Sequence, residues 1–170
     1  PLLLHTGGLN ASARLLTDYL GSVSGSGQVR DDDEVDFGMI ASTPALPSEV
    51  LRAAWTNAIE SQLPTCALHK SALTRVAGLN VLTRVNSNVL TCFGSDVRTL
   101  DSLLSMPHSV LSGSHESVPA VRAAACRALG FLIYLPCVNL EETAAALLIA
   151  AEDVSKSVKI PAMWSLANLC

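Results

Sequence analysis

Apolar residues along this chain recur at spacings of three and four, the period of a helix with one face turned inward. Asn10 to Leu20 predicts a first helix, capped by Asn10, stopped by Gly21, with Leu15, Leu16, Tyr19 and Leu20 on its apolar face. Ser48-Glu49, after Pro47, opens a second that runs to about residue 63. In it Val50, Leu51, Ala54, Trp55, Ala58 and Ile59 share the 3-and-4 spacing, and Trp55 reads as a filler between helices. A third helix is expected after Pro64, from about Cys66 to Val85, broken by Asn86-Ser87-Asn88. A fourth, from about Asp96 to Ser105, gathers Val97, Leu100, Leu103 and Leu104, and Pro107 is expected to end or kink it. Ser109 to Ser117 reads as a serine-rich connection, and helices of about 117–135, 140–152 and 156–169 complete the chain. Strand-like alternation is absent, so the expected class is all-α.

Two of these helices repeat each other. Val121-Arg122 and Val158-Lys159 each open a run of small residues that reaches a leucine eight places later, Leu129 and Leu166. The offset is 37 residues throughout, a spacing that marks stacked helical pairs. Glu116 stands six residues before Arg122, and Asp153 stands six before Lys159. An acid in the turn before a helix can accept its first backbone N–H groups, where the dipole favours negative charge. The cation in the first turn can reach the acid of its own or of a neighbouring repeat. The expectation is a ladder of Glu116, Arg122, Asp153 and Lys159, over a core containing Val121, Leu129, Val158, Trp164 and Leu166. Ala123, Ala124, Ala125, Ala128, Ala162 and Ala167 would let the helices approach closely.

The run from Glu116 through Val121-Arg122 to Leu129-Gly130, and the run from Asp153 through Val158-Lys159 to Leu166-Ala167-Asn168-Leu169, resemble the second helix of HEAT repeats. The clear match covers residues 115–170. A fainter copy, Thr74-Arg75-Val76-Ala77-Gly78-Leu79-Asn80-Val81-Leu82, places Arg75 47 residues upstream of Arg122, but His69 rather than an acid stands six places before Arg75. Pro161 departs from the pattern too, where the family carries a helix former. The resemblance implies an all-α, HEAT/armadillo-like right-handed α-solenoid of antiparallel helix pairs spanning 1–170. Its clearest repeats would be 95–135 and 140–170.

Composition changes the picture in two ways. Apolar residues make up 49% and charged residues only 15% of the 170, against about 25% charged in ordinary globular proteins, and the mean hydropathy is +0.39. Such a surface fits a piece of a longer repeat protein whose ends stack on further repeats of its own chain. The charge that exists is uneven: Asp31-Asp32-Asp33-Glu34 and Asp36 follow a Gly/Ser run. Residues 21–47 therefore read as a flexible acidic insert. Net charge is −4, and Lys and Arg are spread thinly, so neither nucleic-acid binding nor a lysine-rich membrane face is expected. The apolar runs are too short to span a bilayer. Five scattered cysteines, odd in number, read as reduced thiols of an intracellular protein, cytoplasmic or nuclear.

Chemistry has little to work with. Cys66-x-x-His69 is half of a zinc pattern without a second half, and His5, His108 and His115 stand far from it in sequence. Asp101, His108 and nearby serines lack a Gly-x-Ser-x-Gly elbow. The glycine-rich run lacks the Gly-Lys-Ser/Thr ending of a phosphate loop. Glu141-Glu142 reads as the acidic first turn of a helix. No catalytic residue, cofactor or metal is expected. The function read from the chain is a protein–protein interaction scaffold or adaptor. The alternatives are a segment of an importin-type transport receptor, or a helical-repeat region appended to a larger enzyme.

Overall fold

The computed structural model describes residues 48–85, 93, 97–112, 116–135 and 138–169. The helix expected over 10–20 and the insert at 21–47 lie outside the described residues. All regular structure among the described residues is helical.

The first helix, α1 (Ser48–Asn57), carries Glu49 in its first turn and buries Leu51 and Trp55. It runs on through a π-helical stretch, Ala58–Gln62, into α2 (Leu63–Ala67). The cause lies in Pro64 at the start of α2. A proline has no N–H for the carbonyl four residues back, and its ring crowds that carbonyl. Here that carbonyl belongs to Glu60, inside the widened stretch, where the Leu63 N–H reaches back five residues to the Ala58 oxygen. The Thr65 hydroxyl donates to the Ser61 carbonyl at 2.9 Å.

The single helix expected over 66–85 is in fact two. The chain turns at 68–71, where the Ser71 N–H donates to Nδ1 of His69 at 3.1 Å, and α3 (Ala72–Leu82) then runs back along α2. Gly78 of α3 makes this close approach feasible: a Cβ there would stand 2.7 Å from the Cβ of Cys66.

Helix α4 (Val97–Ser112) passes through Pro107 without ending. Leu103, Leu104 and Pro107 are buried, and Leu111 beyond the proline packs on the same core. Burial on both sides outweighs the roughly 3 kcal/mol that a mid-helix proline costs. Of the connection expected over 109–117, Ser109 and Ser112 extend the helix instead, while Ser117 lies outside it. The hydroxyls of Ser105, Ser109 and Ser112 donate to the carbonyls of Ser102, Met106 and His108.

Helix α5 (Pro119–Leu132) is the hub, with Val121, Ala124, Ala125, Cys126, Ala128, Leu129 and Leu132 fully buried. Helix α6 (Leu140–Ala151) is capped by Asn139, whose Oδ1 accepts the Glu142 N–H at 3.2 Å. Helix α7 (Lys156–Ala167) holds Pro161 in its interior.

These elements form three pairs: α1–α2 with α3, α4 with α5, and α6 with α7. The second members, α3, α5 and α7, lie side by side with α5 in the middle, and α4 and α6 pack together alongside them. No helix among the described residues is long and apolar enough to cross a membrane.

Two expected core positions come out differently. Trp164 is 45% exposed, because the α7 face that packs on α5 is carried by Val158, Ala162 and Ser165. Its ring lies instead on the rim, 5.5 Å from that of Phe131. Leu166 is only half-buried, and Ala167 is exposed.

Candidate functional site

Where α3 and α5 begin, each presents an arginine toward the turn before the next second helix. Arg75, in the first turn of α3, donates from Nε to Oε2 of Glu116 at 2.9 Å and from Nη2 to Oε1 at 3.0 Å. Arg122, in the first turn of α5, donates from Nε to Oδ2 of Asp153 at 2.7 Å and from Nη2 to Oδ1 at 2.9 Å. Both are two-pronged pairings, the geometry that fits a guanidinium to a carboxylate best.

Most of the remaining bonds repeat as well, although Nη1 of Arg75 makes one more, to the carbonyl of Lys70 at 3.0 Å. Nη1 of Arg75 donates to the carbonyl of His69, and Nη1 of Arg122 to the carbonyl of Glu116, each six residues upstream and each at 2.8 Å. Each carboxylate accepts a backbone N–H two residues on: Val118 onto Glu116 at 3.0 Å and Ser155 onto Asp153 at 2.8 Å. One arginine thus ties its own turn, through a backbone carbonyl, to the following turn, through a side-chain acid. The rungs run from one pair of helices to the next.

The ladder residues read from the sequence therefore occupy distinct places. Glu116, Arg122 and Asp153 are all engaged, but Arg122 forks onto Asp153 and touches Glu116 only through its carbonyl. Arg75 supplies a rung for Glu116 that the acid-before-cation register does not mark. Lys159 makes no ion pair among the described residues, although its charge acts on Asp153.

The electrostatics follow. Burial alone would raise the Glu116 carboxyl, but the hydrogen bonds from Arg75 and Val118 and the charges of Arg75 and Arg122 prevail, so its pKa lies below its usual value. Asp153 is lowered, first by its hydrogen bond from Arg122, against the opposing effect of burial. Arg122 is raised, first by the same bond. Cys126, buried between α5 and α7, is pushed up to about 12, mainly by burial, and is not a ready nucleophile at neutral pH.

These shifts give stability a defined pH dependence. Both carboxyls bind protons less readily folded than unfolded, so their contribution is complete above their ordinary values, 4.5 and 3.8. It is lost as pH falls through the lower folded values. Urea unfolding should be flat in pH from about 7 to 5 as far as these groups are concerned. It should then weaken by up to about 1.4 kcal/mol per pH unit for each carboxyl. A Glu116→Gln, Asp153→Asn chain should show a shallower acid limb; an identical limb would remove the ladder from the explanation.

The remaining candidate groups are spread out. Cys66 is buried against Gly78, and His69 caps its own turn. Nε2 of His108 lies 3.1 Å from the Thr143 hydroxyl. The hydroxyls of Ser102, Ser105, Ser109 and Ser112 bond to carbonyls of their own helix. Among the described residues no three His, Cys, Asp or Glu side chains gather where they could hold a metal ion.

No protein-family profile matches the chain, and no solved structure matches its fold.

Proposed function

We propose that this chain is part of a HEAT-like α-solenoid that works as a protein–protein interaction scaffold in the cytoplasm or nucleus. The observation that carries the reading is the repeated rung. Arg75–Glu116 and Arg122–Asp153 join successive helix pairs by the same atoms, with the same third bond to a carbonyl six residues upstream. A structural device repeated at each step lets one packing be extended indefinitely, and extended helical stacks serve as long binding surfaces.

The outer face of α7 fits this reading. Ile160 and Met163, 69% and 63% exposed, stand 37 residues after Ala123 and Cys126, which lie buried in α5. A further helix pair of the same chain would cover Ile160 and Met163, and Lys159 would offer it the next cation. Partner proteins would be held by many weak contacts along the stack, over an interface of standard size or larger.

The test is affinity co-purification of the full-length parent protein from cells, beside Arg122→Glu and a folded Arg122→Lys control. A stoichiometric protein partner that persists with Arg122→Lys and fades with Arg122→Glu is expected. An eluate without an enriched protein, or one carrying catalytic activity, would contradict the scaffold reading.

A further inference from the structure

Helices α3 and α5 close tightly, but on the other side of the stack α1–α2 and α4 leave a groove of about 530 Å³. Its floor is apolar, with the buried Ile59 and Leu63 beside Met106. Leu68, 88% exposed, stands on one wall. The opposite wall is a row of small residues on α4, Ser102, Ser105 and Ser109, at helical spacing.

Their hydroxyls donate to the carbonyls of Arg98, Ser102 and Met106. The serine wall is thus low, and its donors are already engaged with its own helix. Glu60, placed on the π-helical stretch, is the only ionisable group among the described residues that line the groove. Beyond it the surface continues into a second depression of about 450 Å³, where Glu49 and Arg52 accompany Glu60. The two depressions follow α1–α2 from residue 49 to residue 68, a helical length of about 28 Å.

Shape and chemistry together restrict the occupant. A small ligand is normally fixed by several convergent polar groups, whereas here the serine donors are engaged and one carboxylate stands at the rim. Nucleic acid would need a run of cations, and among the described residues the two depressions carry Arg52 alone. An apolar groove with a low wall, and an acid at the end where it meets the polar second depression, suits a helix with leucine-like residues at i, i+3, i+4 and i+7 and a cation beside them.

We infer that the trough between α1–α2 and α4 docks one amphipathic helix of a partner protein. Its apolar stripe rests on Ile59, Leu63 and Met106, and a lysine or arginine faces Glu60. The inference rests on the scaffold reading and gives it a site.

The probe is a designed helical peptide of about 18 residues, with leucines at that spacing and one lysine placed for Glu60. It is titrated into the isotopically labelled chain and followed by amide chemical shifts. Two further peptides serve as comparisons, one with the same residues scrambled and one with glutamate for the lysine. The expected shifts fall at 59–68 and 102–109. Ser105→Trp, an exposed position whose filling spares the fold, should weaken binding at least about tenfold with an unchanged unfolding temperature. Glu60→Lys should reverse the preference from the lysine peptide to the glutamate peptide.

Equal binding of the scrambled peptide, shifts centred elsewhere, or unaltered binding to Ser105→Trp would overturn the inference. So would peptide-induced shifts in residues 10–20, which would mean that the chain's own segment holds the groove. A cellular partner retained by Ser105→Trp would leave the scaffold reading intact and remove only this site.

Discussion

Arg122→Glu is expected to lower the unfolding free energy by about 4 kcal/mol. The arginine donates to both oxygens of Asp153 and to the carbonyl of Glu116. Its removal leaves a largely buried carboxylate unpaired, which costs about 3–5 kcal/mol in buried pairs. The new glutamate adds repulsion toward Asp153 and Glu116 together. Arg122→Lys keeps the charge but loses the fork, and should recover about half of the loss. Urea unfolding at pH 7 measures both. A change below about 1 kcal/mol for Arg122→Glu would mean that the rung behaves as an exposed surface pair.

Gly130→Leu should cost about 3 kcal/mol for a different reason. Gly130 lies where α5 and α7 touch, and a Cβ there would collide with Oγ of Ser165 and stand 2.9 Å from its Cβ and from the Trp164 ring. The Ser165 hydroxyl is also committed, donating to the Cys126 carbonyl at 2.7 Å. Two helix backbones must separate to admit the side chain, and overpacking of a tight interface costs about 1–3 kcal/mol or more. A leucine favours an isolated helix over glycine by close to 1 kcal/mol, so a stabilised variant would show that the α5–α7 contact is loose. Differential scanning calorimetry should place the loss at roughly 2–4 °C per kcal/mol for a chain of this size.

Much of this arrangement is legible in the residues. The helices over 119–132, 140–151 and 156–167 follow from the 37-residue repeat, the acidic first turn at Glu141-Glu142 and the small-residue runs, because alanines at close contacts and leucines at seams leave few other arrangements. Glu116, Arg122 and Asp153 stand out by their register. What the register cannot reveal is direction. An acid six places before a cation looks like a pair, yet it is the backbone carbonyl at that position that meets the cation, while the side chain turns back to the preceding arginine. For the same reason His69 hides Arg75: its carbonyl suffices, and the carboxylate that Arg75 requires is Glu116, 41 residues on.

Other features were hidden by tertiary packing. Pro107 breaks helices by local rule, but buried neighbours on both sides carry α4 past it. The turn at 68–71 contains neither glycine nor proline and leaves no local mark. Trp164 has the size of a core residue, but Val158, Ala162 and Ser165 carry the α7 face that meets α5, which leaves the indole on the rim.

The central claim is that Arg122 and Asp153 act as one coupled rung between successive helix pairs. A double-mutant cycle tests it most directly, with Arg122→Ala, Asp153→Ala and the double variant unfolded in urea at pH 7 and low salt. The expected coupling is about 2 kcal/mol, with the double variant losing clearly less than the sum of the single losses. Additive losses, within about 0.5 kcal/mol, would show that the two residues do not depend on each other and would contradict the ladder as the device that holds the stack together.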